Sequence, residues 1–249
     1  MKFILRTKNA GQEHVRKEIE KLLEEKGAEW THEMEKGCDF AVIIGGDGTL
    51  MRDQGKANCP LLGIKKEGSV GYYMSADYSD FREKILKLVE GKAGEDYMIK
   101  RFMRLTVSVN GKPLDGLALN DVLVSAVYTR RIFEAMVNLC GDSSVERNSG
   151  IIVYTPSGSH AFAHSAGASR MPEESRKLGV AGLAPYSGCL KKQEILLEKG
   201  PVEIECMSPE GEICVDGSET QIMKIKKGDT VTIDKSADDL EMVAFGGKK

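Results

Sequence analysis

The apolar positions of the chain follow two rhythms, and the change between them falls near residue 96. In the first part, residues 2–7 (KFILRT) predict a strand. Residues 11–26 place Val15, Ile19, Leu22 and Leu23 at helical spacing, with Gly27 as a stop. Residues 39–44 (DFAVII) form a continuous apolar run ending in Gly45-Gly46, the pattern of a strand buried on both faces of a parallel sheet. Residues 60–64 predict another strand, and residues 79–90 a second amphipathic helix with Ser79 as N-cap and Gly91 as stop. Strand alternating with helix is the pattern of an α/β unit with a mainly parallel sheet.

The second part reads as short alternating runs: 104–109, 117–125, 133–139, 151–154, 195–197, 202–206, 213–215 and 231–233. Asn110-Gly111 is its strongest hairpin signal, and Pro209-Glu210-Gly211 and Lys227-Gly228-Asp229 mark further turns. One stretch, 159–166, is helical enough to interrupt the strands. There is no internal repeat and no low-complexity linker.

Composition narrows the classes. Lys and Arg total 35 against 38 Asp and Glu, a net charge of −3, which disfavours a nucleic-acid partner held by bulk charge. Apolar residues at 41% and charged residues at 29% fit neither a disordered nor a membrane-resident chain. The longest apolar run, residues 40–44, is far short of the ~20 residues that span a bilayer. Phe3-Ile4-Leu5 is too short for the core of a signal peptide, so a cytoplasmic protein is expected. The 6 cysteines form no CxxC pair and read as reduced thiols. Glycine is the outlier, with 27 in 249 residues, or about one in nine against an average of ~7%.

Some of those glycines carry chemistry. Gly45-Gly46-Asp47-Gly48-Thr49 follows a buried strand and precedes a short helical run over 50–57. Such a backbone can approach an anion closely and turn its N–H groups toward phosphate oxygens. Thr49 supplies a hydroxyl and Arg52 a cation one turn on. A carboxylate beside phosphate is unfavourable unless it has chemical work, such as taking a proton from an attacking hydroxyl. The plainer reading is a tight turn with Asp47 as a helix cap.

GGDGT at a strand end resembles the phosphate-donor loop of a kinase superfamily that includes NAD kinases, diacylglycerol and sphingosine kinases and, with Ser for Thr, phosphofructokinases. Three later stretches narrow the choice. Ala118-Leu119-Asn120-Asp121 resembles the Asn-Glu segment that meets the acceptor nucleotide in NAD kinases. Thr155-Pro156-Ser157-Gly158-Ser159, continuing through Ala161, Ser165, Ala166 and Gly167, resembles the NAD kinase signature TPTGSTAYxxSAGG. Val215-Asp216-Gly217 resembles the Asp-Gly pair near the family's C-terminus, and Leu183-Ala184-Pro185 its short Pro-ended strand.

The chain also departs from that pattern. His160 stands where the family has Thr, Phe162 for Tyr, Asp121 for Glu and Ala168 for the second Gly. Ser149 replaces an Asp tied to the nicotinamide end, while the nearby basic position is kept as Arg147. The stretch from Gly63 to Gly71 resembles GIN-x-G-x-x-GF with Lys for Asn and one extra residue. The changes cluster on the acceptor side, which points to altered or relaxed acceptor choice. His160 and His164 share the i, i+4 spacing of metal ligands, but no Glu at 161 completes a zinc motif and no metal site is expected.

The resemblance implies an α/β N-terminal domain (1–98, a Rossmann-like parallel sheet) and a β-rich, sandwich-type C-terminal domain (99–237). It implies a strand at about 238–249 that returns to the first domain, a site in the cleft between the domains, and a homodimer or homotetramer. It implies transfer of the terminal phosphoryl group of ATP, or of another donor, carried with Mg2+, to the 2′-hydroxyl of the adenosine ribose of NAD. Asp47 would be the base, and Gly45, Gly46, Gly48, Thr49 and Arg52 the phosphate cradle. The acceptor pocket would draw on Asn120, Asp121, Arg147, Ser149, Thr155, Ser157, Gly158, Ser159, His160, Ala161, Phe162 and Ser165. The hydroxyls and N–H groups of residues 157–159 are expected to face the nucleotide, and Phe162 to stack on its base or to pack in the core. Two alternatives stand beside this: the same kinase chemistry on another nucleoside or small polyol, and a non-catalytic nucleotide sensor.

Overall fold

The computed structural model describes residues 1–246 apart from 129, 192–193 and 219–221. The chain divides into two compact units, Met1–Arg101 with the segment from Leu240 onward, and Phe102–Asp239. Residues 247–249 of the expected returning segment lie outside the described residues.

The first unit contains β1 (Lys2–Thr7), α1 (Glu13–Glu25), β2 (Glu29–Thr31), β3 (Phe40–Ile44), α2 (Asp47–Asp53), β4 (Leu61–Lys65), β5 (Met74–Asp77), α3 (Phe81–Glu90) and β6 (Met98–Phe102). Its sheet runs β2-β1-β3-β4, then the closing strand Leu240–Ala244, then β6, and β5 also pairs with β4. The pairings among β1 to β5, and of the closing strand with β4, are parallel. Every residue of β3 is buried, which is why its sequence shows no alternation. Val15, Ile19 and Leu23 of α1 and Phe81, Ile85 and Leu88 of α3 pack into one core with Phe3, Leu5, Val42, Ile44, Leu62 and Ile64. Each such burial is worth about 1.5–3 kcal/mol before the entropy of ordering is set against it.

Two helix starts differ from the sequence reading. The run expected over 50–57 begins at Asp47, directly after Gly46 in extended backbone (φ −140°, ψ −177°), and ends at Asp53. The helix expected to be capped by Ser79 begins at Phe81. The Ser79 hydroxyl instead donates to Asp77, and Asp80 accepts the Asp77 N–H at 2.9 Å, so a local side-chain turn takes the place of the cap.

The second unit contains β7 (Leu105–Val109), β8 (Lys112–Pro113), β9 (Asp121–Ser125), β10 (Phe133–Leu139), β11 (Asp142–Asn148), β12 (Gly150–Tyr154), α4 (Phe162–Ser165) and β13 (Leu178–Leu183). Beyond them come β14 (Ile195–Leu197), β15 (Val202–Cys206), β16 (Glu210–Val215), β17 (Ile222–Lys226) and β18 (Thr230–Lys235). Two antiparallel sheets form, β11-β10-β15-β18-β7-β8 and β14-β13-β12-β9-β16-β17. They share one apolar core that includes Val107, Val124, Phe133, Val137, Val153, Val180, Ile204, Ile213 and Ile233. This is a sandwich.

Asn110 (φ 51°) and Gly111 (φ 77°) make the β7–β8 turn as their sequence requires. Three strands of this unit were not legible in the sequence. β11 is polar on both faces, β17 is mostly exposed, and β13 carries Gly179 and Gly182. Conversely, the run expected over 117–125 is a strand only from Asp121, because the N–H groups of Leu119 and Asn120 are held by the Asp216 carboxylate.

Candidate functional site

In the Gly45–Thr49 loop, the Gly45 N–H donates to the Ile64 carbonyl on β4 at 2.8 Å, fixing the strand end. A Cβ on Gly45 would lie 2.6 Å from Thr49 Oγ1, so this glycine is demanded by packing within the loop. Gly46 and Gly48 differ: no heavy atom lies within 4 Å of where their Cβ atoms would sit. Their backbone is open to a ligand. Asp47 is held from the segment before β5, with Oδ2 accepting the Tyr72 N–H at 2.8 Å and Oδ1 the Tyr73 N–H at 3.1 Å. The first turn of α2 therefore presents a carboxylate already oriented by two backbone amides, in addition to open loop backbone.

Arg52 forms a fork on the fully buried Asp53, with Nε to Oδ1 at 2.9 Å and Nη2 to Oδ2 at 2.7 Å. Arg6 Nε approaches the same carboxylate at 3.7 Å. Burial alone would raise the Asp53 carboxyl, but the Arg52 hydrogen bonds and charge, with Arg6, hold it below the usual range.

A cavity of about 280 Å³ lies in the second unit, lined by Asn120, Asp121, Leu123, Ala161, Phe162, Cys214, Asp216 and Gly217. Asn120 and Asp121 line it, and the segment 119–121 is clamped from both sides. From one side, Asp216, in a left-handed conformation (φ 50°), accepts the N–H groups of Leu119, Asn120 and Asp121 at 2.8, 2.7 and 3.1 Å. From the other, Thr155 Oγ1 and Ser157 Oγ donate to the Leu119 carbonyl at 2.6 and 3.1 Å, and the Thr155 N–H donates to Asn120 O at 2.9 Å. Gly158 passes so close that a Cβ would lie 1.9 Å from the Asn120 carbonyl oxygen. No described residue donates a hydrogen bond to the Asp121 carboxyl. Burial, with the neighbouring Asp216 charge, pushes it up to about 7.

Residues 3–93 match the ATP-NAD kinase N-terminal domain, and residues 94–245 match the ATP-NAD kinase C-terminal domain. The chain belongs to the NAD kinase family.

An NAD kinase from Thermoplasma volcanium is 30% identical over 85% of this chain and 75% of its own length. One from Thermoplasma acidophilum is 29% identical over 92% and 80%. Among solved structures, an Archaeoglobus fulgidus NAD kinase in complex with ATP aligns with a TM-score of 0.79 at 25% identity, covering 100% of this chain and 95% of that one. Yeast NADH kinase complexed with NADH shares the fold, with a TM-score of 0.83 at 17% identity over 99% and 84%.

Of the acceptor residues expected from the NAD kinase resemblance, the structure brings Asn120, Asp121, Ala161 and Phe162 to one cavity, with the Phe162 ring exposed and not in the core. The signature hydroxyls make hydrogen bonds within the protein. Thr155 and Ser157 bond the Leu119 carbonyl, and Ser159 Oγ donates to Pro156 O at 2.6 Å while accepting the Met171 N–H. Three N–H groups of the turn are also bonded internally: Gly158 donates to Thr155 Oγ1, Ser159 to Thr155 O and His160 to Ser157 O. Residues 157–159 thus shape the turn that clamps the 119–121 segment.

His160 Nε2 donates to the Met171 carbonyl at 3.2 Å, and His164 Nδ1 to Ala168 O at 3.1 Å, so the two rings are tied to the same following segment. Arg147 lies on β11 in the other sheet, paired with Glu134 at 2.9 Å, and is not among the residues lining the cavity. Ser149 sits between β11 and β12 with its N–H on Leu183 O, and Ser165 is exposed at the end of α4. The sequence reading assigned no role to Asp216, although its Asp-Gly pair was visible. It also passed over the Tyr72 and Tyr73 amides, because a backbone donor leaves no signal in residue type.

Proposed function

We propose that this member of the NAD kinase family transfers the terminal phosphoryl group of ATP to the 2′-hydroxyl of the adenosine ribose of NAD, making NADP. The observation that carries the reading is the carboxylate of Asp47, oriented by the Tyr72 and Tyr73 amides within a loop whose Gly46 and Gly48 faces are open. Family membership across both matched domains, and relatives that are NAD kinases, favour NAD over another nucleoside or polyol and favour catalysis over mere sensing.

In this reading Asp47 accepts the proton of the attacking hydroxyl as the oxygen–phosphorus bond forms and ADP leaves. Gly45, Gly46, Gly48 and Thr49 shape the phosphate cradle. Arg52 reaches the phosphates through Nη1, since Nε and Nη2 are committed to Asp53. Asn120, Asp121, Ala161 and Phe162 receive the acceptor, with Phe162 offering a ring face to its base. Among the described residues no group of three or more His, Cys, Asp or Glu is placed to hold a metal ion. The donor is written as Mg2+-ATP, the ion entering with the triphosphate as part of the substrate. Among the described residues no helix is long and apolar enough to cross a membrane. A cytoplasmic homodimer or homotetramer is the working form that the family resemblance supports.

Asp47→Asn tests the assignment. Asn still accepts one of the two amides, so the fold should persist while NADP formation falls by about 10²–10⁴-fold with ATP affinity retained. Undiminished turnover in this variant would sink the proposal.

A further inference from the structure

Tyr154 ends β12 immediately before the Thr155–Ser159 turn, and its side chain is fully buried. Its ring fills the space over Gly179 on the neighbouring strand β13, where a Cβ would lie 2.0 Å from the ring. The phenol hydroxyl donates to Glu194. The two oxygens of Glu194 also accept the Ser169 N–H, at 3.0 and 3.1 Å. Burial alone would raise the Glu194 carboxyl, yet the hydrogen bonds from Ser169 and Tyr154 hold it below the ordinary range. It is therefore a charged acceptor for the buried Tyr154 hydroxyl and for the backbone N–H of the exposed Ser169, a strong kind of hydrogen bond.

Ser169 belongs to the segment that braces the signature turn. The Met171 N–H donates to Ser159 Oγ at 2.8 Å, the Met171 carbonyl accepts from His160, and the Ala168 N–H donates to Ala163 O at 3.0 Å. Tyr154, Ala163, Ala168 and Met171 share one apolar cluster with Ile152 and Ala181. Ala163 is the neighbour of Phe162 in α4, and the Phe162 ring lines the cavity of Asn120 and Asp121. A continuous set of contacts therefore runs from Glu194 through Ser169 and Met171 to the turn that carries Phe162.

We propose that Glu194 is a positioning residue for acceptor binding: together with Tyr154 it anchors the 168–171 segment and so fixes Phe162 at the acceptor cavity. This rests on reading that cavity as the NAD site. Glu194 touches no substrate in this scheme; it acts through Ser169 and the turn.

The test uses the full chain with Tyr154→Phe, which keeps the ring that fills the space at Gly179, and Glu194→Gln, which keeps the shape and removes the charge. NAD and ATP are varied separately in steady-state assays, with thermal unfolding measured alongside. The KM for NAD should rise about 5- to 20-fold in each variant, while the KM for ATP and kcat at saturating NAD stay within about twofold. The double variant should be no worse than the more affected single one, since both cut the same link. Glu194→Asp, charged but shorter, should recover part of the NAD KM. An unchanged NAD KM in Tyr154→Phe and Glu194→Gln overturns the inference. So does a rise in both KM values with a matching loss of kcat and melting temperature, which is what a purely structural role would give. Wild-type protein that fails to phosphorylate NAD would overturn the functional reading itself, and this inference with it, so the two failures are told apart.

Discussion

Asp216 accepts the backbone N–H of Asp121 on its carboxylate at 3.1 Å, and its own N–H returns a bond to the Asp121 carbonyl at 2.9 Å. The two residues lock their main chains together while bringing two buried acids side by side. Asp216 has three backbone donors to offset its burial; the Asp121 carboxyl has none among the described residues. The cavity lined by Asn120 and Phe162 therefore holds one acid whose charge is met by three backbone amides and one whose carboxyl receives no hydrogen bond from a described residue.

That inequality predicts a pH dependence. The Asp121 carboxyl titrates near 7 in the folded chain and near 3.8 when exposed. Its raised folded value means the native state binds the extra proton, so its contribution is fully present below about pH 4 and is lost as pH rises through 7. The loss is on the order of 4 kcal/mol at most. Urea unfolding at pH 5 and pH 8 should show Asp121→Asn gaining on the wild type as pH rises. An equal gap at both pH values would remove Asp121 as the cause.

Adjacent glycines of the donor loop should respond in opposite ways. Gly46→Ala meets open space in ordinary extended backbone, so stability should change by less than about 1 kcal/mol while the KM for ATP rises, because the new methyl faces the phosphates. Gly45→Ala forces a Cβ to within 2.6 Å of Thr49 Oγ1 and should destabilise the fold by about 1–3 kcal/mol. Denaturant midpoints and ATP kinetics for the pair read the two effects separately.

Gly158→Ala tests the clamp on the 119–121 segment. A Cβ there would lie 1.9 Å from the Asn120 carbonyl oxygen, and backbone on both sides cannot give without opening the turn. Calorimetry should show NAD binding lost at concentrations where ATP still binds, with unfolding easier by about 2–4 kcal/mol. Normal NAD affinity would show that the approach of residue 158 to Asn120 is dispensable.

In the proposed reading Arg52 holds Asp53 and also meets the phosphates. Arg52→Ala leaves the buried Asp53 with the more distant charges of Arg6 and Lys56, and should cost about 1–3 kcal/mol in addition to weakening ATP binding. Arg52→Lys keeps the charge and loses the two-pronged fork, so it should restore less stability than charge alone would. A variant that weakens ATP binding with no change in melting temperature would mean that the Asp53 pair contributes nothing to the fold.

The sequence by itself determined the local parts. DFAVII had to be a strand with both faces covered, the spacing of Val15, Ile19 and Leu23 a helix on one core, and Asn110-Gly111 a tight hairpin, because each rests on contacts or dihedrals a few residues apart. The GGDGT and TPSGS segments likewise announced their family. Only the tertiary structure decided what their atoms do. β13 is a strand despite two glycines because the Tyr154 ring occupies the space at Gly179, a partner 25 residues away in sequence. Thr155, Ser157 and Ser159 are legible by type as hydrogen-bonding residues, but a hydroxyl donates to whichever acceptor the fold brings near, and the fold brings Leu119 and Pro156. Asp216 reaches residues 119–121 across almost a hundred positions, and Glu194 reaches Tyr154 and Ser169. Such pairings depend on strand order and register, which hydrophobic periodicity does not encode.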